Sequence, residues 1–348
     1  MTRTLLAVLT AFTLLAPAWA KPPAQEKSGP TYGKRPEVRA FILEMVKQHG
    51  FVEQELTRLF SRTHRIDAIL QAISTPAETT RSWREYHDML LTDKRIAGGI
   101  EFWNKHRAAL ERAQREYGVP AEYIVAIVGV ETLYGRNTGR WRVIDALATL
   151  AFDYPPRAEF FRQELESYLL LSRDEGINVF TTRGSYAGAF GIPQFMPGSA
   201  RRYAVDFDGS GAVDLHRSPV DAVGSVANFL SRHGWQSGGD VMFEARVQGE
   251  GYRAFADGRL EPKHAIADLV RAGVEPSFLP QPAPDPLPQD LAATGAALIE
   301  LASAGYPSEF RLGLQNFYVL TRYNRSAFYA SAVAELAQAL RKAQEPGR

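Results

Sequence analysis

Apolar positions recur at helical spacing along most of the chain and change to short strand-like runs in one C-terminal stretch. Val38, Phe41, Ile42, Met45 and Val46 form a stripe that ends at Gly50, and Ile66, Ile69, Leu70 and Ile73 form another that ends at Pro76. Trp83, Tyr86, Phe102 and Trp103, expected as packing aromatics, precede an amphipathic stretch over Arg107–Tyr117. Helices are predicted over Val143–Phe152, over Ala158–Leu171 with Phe161, Leu165, Tyr168 and Leu169 aligned, from Asp221 to His233, and at the C-terminal end on Tyr329, Val333, Leu336 and Leu340. The runs Val241–Val247, Ala297–Leu301 and Phe310–Leu314, with a turn near Gly305 and a Pro-rich loop over Leu279–Pro288, predict a small β unit over 237–313.

One helix carries an acid where an apolar residue is expected. Pro120 suits a first turn and Gly135 the residue past the end, so Pro120–Tyr134 reads as a helix of about four turns. Ile124, Ile127, Val128 and Glu131 then share a face. A carboxylate so placed is costly as an anion, so its pKa should rise and it can act as a general acid. The competing reading is an acid that tips into solvent or pairs with Arg136, Arg140 or Arg142.

Three later stretches change the picture. In Arg183–Pro197, glycines and prolines among Ser185, Tyr186, Phe190, Gln194 and Phe195 let backbone approach a ligand beside flat aromatic faces, as saccharides require. Asp206, Asp208, Ser210 and Asp214 fall at positions 1, 3, 5 and 9 of a calcium loop, with Gly211 at the sharp turn at position 6. Position 12 is Arg217 rather than a bidentate glutamate, which leaves Asp221 as the nearest closing ligand. In Asn316–Ser326, Asn324 beside Tyr323 and Tyr329 is placed either to bond a sugar amide or to cap the last helix.

Composition narrows the setting. Met1-Thr2-Arg3, an apolar run through Ala16 and Ala18-Trp19-Ala20 have the parts of a secretory signal with cleavage after Ala20, and no later run is long enough to span a membrane. The 40 basic and 39 acidic residues balance once Arg3 is removed, which argues against nucleic acid and anionic membrane as partners. With no cysteine there is neither a disulfide nor a lipid-bearing thiol, so a soluble exported protein of a Gram-negative periplasm, without a membrane anchor, is expected.

The chain resembles the lytic murein transglycosylase B family, bacterial enzymes whose membrane-bound and soluble members cleave peptidoglycan. The resemblance runs from about Pro36 to Ala343 and rests on Gly129-Val130-Glu131-Thr132 with Tyr134-Gly135, Leu147–Leu150, Tyr154-Pro155 with Arg157-Ala158-Glu159, Gly184–Gly188, Gln194–Ser199, the Asp206 loop, Gly224–Asn228 and Tyr323–Ser326. It implies a mainly α fold with a small β domain, elongated and multi-domain, around a lysozyme-like core. The expected units are a signal over 1–20, a flexible lead-in over 21–35, a helical domain from 36–111 plus 334–348, a catalytic core from 112–236 plus 314–333, and the β domain over 237–313. Glu131 corresponds to the family's single acid/base. Ser185, Gln194, Tyr323, Asn324 and Tyr329 match cleft positions, Arg157 matches a substrate contact, and Tyr186 is placed with them from the glycine-rich loop.

Asp206, Asp208, Ser210, Ala212, Asp214 and Asp221 are the implied ligands of a structural Ca²⁺, and no cofactor is expected for the chemistry itself. Two departures are Phe229, where a relative has a cleft tyrosine, and Ser210, where an acid is common. The implied reaction cuts the bond between N-acetylmuramic acid and N-acetylglucosamine and leaves a 1,6-anhydro end. Glycan strands are the expected partner of a monomer, with other cell-wall enzymes as further candidates. The rivals are a hydrolytic muramidase using Asp145 or Asp153 as second carboxylate, and a non-catalytic, calcium-stabilised wall-binding protein.

Overall fold

In a computed structural model the chain is described over residues 29–74 and 81–345. The expected signal and the first part of the lead-in lie outside the described residues. Six helices come first: α1 (Pro36–His49), α2 (Glu53–Phe60), α3 (Asp67–Ser74), α4 (Trp83–Leu90), α5 (Asp93–Lys105) and α6 (Arg107–Tyr117). Their limits follow from local chemistry. Pro36 opens α1, and Gly50, left-handed at φ 70°, closes it with its amide on the Val46 carbonyl. Ser82 and Glu85 form a reciprocal capping box on α4.

The middle of the chain gives α7 (Ala121–Thr132), the short strand β1 (Trp141–Arg142), α8 (Val143–Asp153), α9 (Ala158–Asp174), strand β2 (Arg183–Gly184), α10 (Pro197–Tyr203) and α11 (Pro219–Arg232). Then follow β3 (Met242–Val247), β4 (His264–Ala265), α12 (Ile266–Arg271), β5 (Val274–Pro276), α13 (Gln289–Ala293), β6 (Gly295–Ser303) and β7 (Tyr306–Gly313), before α14 (Gln315–Tyr323) and α15 (Ala327–Gln344). The molecule is mainly helical with one small sheet, as the spacing of apolar residues predicts.

Helix α7 is the centre of the main core. Ile124 to Val128 have no exposed surface, and α5, α6, α11 and α15 pack around them. A helix buried on all sides reads as continuously apolar, which is why its pattern is less amphipathic than that of its neighbours. The sheet is antiparallel with strand order β4-β6-β7-β3-β5. Its faces divide the apolar residues cleanly. Ala297, Ile299 and Leu301 join the main core with Phe317, whereas Ala296, Leu298, Phe310 and Leu312 form a second core with Ile266, Leu269 and Val274. Period-two alternation thus docks the β unit on the helices while giving it an interior of its own.

Two expectations need correction. The lead-in expected to be flexible over 21–35 is packed from Gly29 onward: the Gly29 amide bonds Arg65 O at 3.0 Å, and Tyr32 is fully buried with its hydroxyl on Asp153 at 2.5 Å. A buried aromatic with a charged hydrogen-bond partner anchors what composition alone reads as a linker. The helix bearing Glu131 ends at Thr132, not Tyr134, because the chain turns left-handed at Leu133.

Candidate active site

Glu131 stands in the last turn of α7, and the backbone after it is strained. Leu133, Tyr134 and Gly135 have φ of 49°, 63° and 83°. Side chains at the first two positions cost roughly 1–2 kcal/mol each in this region. The cost is offset by a slot built for Tyr134. Its ring lies against Gly98, Gly99 and Gly129, and a Cβ at Gly129 would come within 2.5 Å of its hydroxyl oxygen. That hydroxyl donates to Arg95 O at 2.8 Å, and the Arg95 guanidinium in turn donates to Gly129 O at 3.2 Å and Leu90 O at 2.6 Å. The end of the Glu131 helix is thereby fixed to α5.

Thr132 fixes it on the opposite side. Its buried hydroxyl donates to Ile192 O at 2.8 Å and accepts from the Gly135 amide at 3.0 Å. Glu131 itself is half-buried and accepts a 2.7 Å hydrogen bond from the Tyr329 hydroxyl. The Tyr323 ring stacks on Tyr329 at 6.4 Å, and its own hydroxyl donates to Pro193 O at 2.5 Å. Burial first, and the Glu131 charge second, push both phenols well above their ordinary pKa, so both remain neutral donors. Arg136 pairs with Glu101 and Arg142 with Asp145, so neither is the partner of Glu131.

Glu131, Arg157, Ser185, Gln194 and Tyr323 line one cavity of about 160 Å³. The sequence elements between them explain the convergence. Strand β2 pairs with β1 and starts a tight loop in which Ser185 exchanges bonds with Ala189: amide to carbonyl at 2.7 Å, and Ala189 amide to the Ser185 hydroxyl oxygen at 3.1 Å. Gly188 (φ 86°) abuts Leu147, and Gly191 (φ 73°) passes so close to the Leu215 carbonyl that no side chain fits. Gln194 is left-handed (φ 50°), with its amide folded onto Gly191 O and Thr138 O.

The other site residues stand differently. Tyr329 lies behind Glu131 rather than in the lining, and Asn324 is buried beside Tyr323 at the end of α14. Asn324 does not cap α15; Ser326 does, accepting from the Tyr329 amide at 3.2 Å. Tyr186 is buried and is not part of the lining. Asp145 and Asp153 are also absent from it: Asp145 is held by Arg142 and the His64 amide, and Asp153 by Arg35 and Tyr32.

Residues that the sequence reading passed over complete the cavity. Glu164, Arg202 and Arg322 line it, beside Phe229, which the sequence marks as standing where a relative has a cleft tyrosine. One Glu164 oxygen accepts from the Gly198 amide at 2.7 Å, supplying α10 with the N-terminal partner that its own N-cap, Met196, lacks. Burial pushes the Glu164 pKa up, against that bond and the charges of Arg202 and Arg157. The signal for Glu164 was present: it follows Phe161 by three and precedes Tyr168 by four on one helical face.

The acidic loop lies on the far side of Ile192. Carboxylate oxygens of Asp206, Asp208 and Asp221 converge within 4.8 Å of one another. Asp221 is fully buried and accepts from the amides of Phe207, Asp208 and Asp214. Asp206 gathers the amides of Gly209, Ser210 and Gly211. Asp214 is drawn off to Arg217 at 2.7 Å, and the Ser210 hydroxyl donates to Ala212 O at 3.1 Å, so neither joins the carboxylate group. A set of hard oxygens around a buried carboxylate fits Ca²⁺. The loop touches the cleft through one bond, Ile192 amide to Leu215 O at 2.7 Å, and Ile192 is the residue whose carbonyl holds Thr132.

Comparison with known proteins identifies the family. The family model described as the transglycosylase SLT domain matches residues 33–338. The membrane-bound lytic murein transglycosylase B of Escherichia coli (strain K12) is 40% identical over 321 residues, covering 90% of this chain and 84% of that protein. The soluble lytic transglycosylase SltB1 of Pseudomonas aeruginosa superposes with a TM-score of 0.81 at 44% identity, over 89% of this chain and 99% of that one. The Escherichia coli lytic transglycosylase Slt35 in complex with calcium gives 0.78 at 40% identity, over 92% and 97%. The lysozyme-like fold of Slt35 is the fold of this molecule.

Proposed function

The chain belongs to the transglycosylase SLT family and is a lytic transglycosylase of peptidoglycan, and from that premise we propose that Glu131 alone carries the proton through both halves of the reaction. Glu131, as the neutral acid, protonates the oxygen that leaves C1 of N-acetylmuramic acid, and the C1–O bond breaks. Glu131, now a carboxylate, takes the proton of the C6 hydroxyl on the same sugar while that oxygen bonds to C1. The products are a free N-acetylglucosamine hydroxyl and a 1,6-anhydromuramic end, with no water consumed. Because the nucleophile is already attached, ring closure avoids most of the entropy cost of a second reactant.

The observation that carries this reading is the bond from Tyr329 to Glu131 at a cavity that neither Asp145 nor Asp153 lines. Tyr329 donates to the carboxylate and so supports the second step, in which the carboxylate must accumulate. Ser185 and Asn324 orient the N-acetyl group, whose oxygen meets the charge that develops at C1. Gln194, Tyr323 and Arg157 hold the glycan in the cleft, and the buried Tyr186 is left without a direct contact to it. Glu164 is a poor water-activating base, since burial favours its protonated form and Gly198 occupies one oxygen.

Asp206, Asp208 and Asp221, with the Ala212 carbonyl and with Ser210 and Asp214 at its edge, are the residues that would hold Ca²⁺. When bound, the ion supplies a structural cross-link and no step of the reaction. Action on peptidoglycan supports a periplasmic location, and among the described residues no helix is long and apolar enough to cross a membrane. The test is Glu131→Gln on purified sacculi: the variant keeps its melting temperature and its glycan binding but releases no anhydro-muropeptides. Release at the wild-type rate would remove Glu131 from the mechanism.

A further inference from the structure

The sheet of the β unit opens at one end. Strand β3 pairs with β7 over Met242–Ala245 and Phe310–Gly313, and then leaves it to continue beside β5 alone over Arg246 and Val247. The first half of β7, from Tyr306 to Glu309, stays beside β6, and among the described residues no strand lies along its other side. A groove of about 930 Å³ fills the gap where the two arms part, with Arg246, Val247 and Glu275 in one wall and Ser308, Glu309 and Phe310 in the other.

Period-two alternation sorts the lining by face. Val247, Tyr252 and Phe310 belong to the second core and give an apolar floor, with Tyr252 set edge-on to Phe310 at 5.4 Å. The opposite face carries Glu244, Glu275 and Glu309 with Arg246 and Arg311. Arg311 is already matched by Glu309 and, outside the groove, by Glu335, and Glu300 adds a further exposed acid to the lining. The groove is thus acidic on balance, as is the whole unit: over 237–313 acidic residues outnumber basic ones nearly two to one, whereas the chain as a whole has 39 acids and 40 bases. Arg311 is only 8% exposed, and its Nε has no hydrogen-bond partner.

We infer that this groove takes an extended, basic segment of another protein as an added strand along Tyr306–Glu309. An open ladder edge offers main-chain bonds to any extended chain, and the pockets for alternate side chains then select among chains. Apolar side chains of the segment meet Val247, Tyr252 and Phe310, its lysines or arginines face Glu244 and Glu275, and the Arg311 Nε is the donor left for one of its carbonyls. A second copy of this chain is a poor occupant, because its own free edge would bring Pro307, which has no amide to donate, and Glu309 against the same acids. The peptide stems of the wall are poor occupants too. Their D-centres do not follow a regular ladder, and their carboxylates would meet glutamates.

The experiment measures binding of fluorescent, end-capped hexapeptides to the full chain by anisotropy. One peptide alternates lysine and valine, and another alternates glutamate and valine. Two more are the lysine peptide N-methylated at alternate amides, one in each phase, and the last probe is a free wall stem peptide. The lysine peptide should bind and the glutamate peptide should not. One methylation phase should weaken binding about tenfold or more, since it blocks the edge that meets β7, and the other phase should not. Glu275→Lys and Glu300→Lys should each weaken the lysine peptide about tenfold, the scale of one charge-assisted contact. No binding of the lysine peptide, equal binding of the glutamate peptide, indifference to methylation in both phases, or tighter binding of the stem peptide overturns the inference. The peptide series changes nothing in the protein, so it decides the question even if a charge reversal perturbs the fold.

Discussion

The Glu131 cleft and the Asp206 loop each hold a carboxylate away from full contact with water, Glu131 and Asp221, and they solvate it in opposite ways. In the loop, Asp206 and Asp221 are each satisfied by three backbone amides, and their oxygens converge with that of Asp208. Backbone amides fix the orientation of these carboxylates, as a rigid cation site requires. In the cleft, Glu131 accepts from the Tyr329 hydroxyl, a phenol that burial keeps neutral. The cleft acid faces a cavity beside a neutral phenol, the setting proposed above for proton transfer, whereas the loop acids are fixed by backbone donors, the setting proposed for a structural cation.

The largest effect that would break this comparison is at Asp221. Asp221→Ala strands three buried amides and should destabilise the fold by about 3 kcal/mol or more. It should also abolish any rise in melting temperature on adding Ca²⁺; an undiminished rise would move the metal site elsewhere. Next is Tyr329→Phe, which removes a hydrogen bond to a charged group and should lower kcat roughly 10- to 100-fold while leaving the melting temperature nearly unchanged. An unaffected kcat would mean that the bond to Glu131 has no part in the reaction.

Thr132→Val tests whether the two regions communicate. It cuts the bridge from Ile192 to the Glu131 turn and should cost about 2 kcal/mol, leaving the Gly135 amide and the Ile192 carbonyl unpaired. If the metal loop acts on the cleft through Ile192, activity of this variant should respond less to chelator than that of the wild type. The smallest effect is at Glu164. Its folded pKa is raised, so its protonated form favours folding; that contribution is full below the ordinary glutamate value and is lost as pH rises through the higher folded value. Glu164→Gln should therefore flatten the fall of stability over that window. A slope as steep as that of the wild type would assign it to another group.

Much of this was legible in the sequence where periodicity is strong. The α6 limits coincide with the amphipathic stretch, and the inward positions of α9 and α15 are those aligned by spacing, because packing and pattern agree there. The position of Glu131 on an inward helical face was legible for the same reason. The left-handed turn after it was not, since Leu133 and Tyr134 carry no local preference for that conformation and the turn is held by the Tyr134 ring against Gly98 and Gly99 in α5. The short strands β4 and β5 were missed because two or three residues cannot show alternation. Glu164 was missed although it bore the signal that singled out Glu131. Arg202 and Arg322 were missed, since α10 and α14 bring them to the cavity from distant stretches and a linear charge count does not show it. The lead-in misled because composition does not reveal that Tyr32 reaches Asp153.

The central claim is that one glutamate cuts the glycan without water. Digestion of purified sacculi in heavy-oxygen water, followed by mass spectrometry of the released muropeptides, tests it most directly. The account predicts anhydro ends carrying no heavy oxygen. One heavy oxygen at C1 of each new muramic end would show that water is the nucleophile and would contradict it.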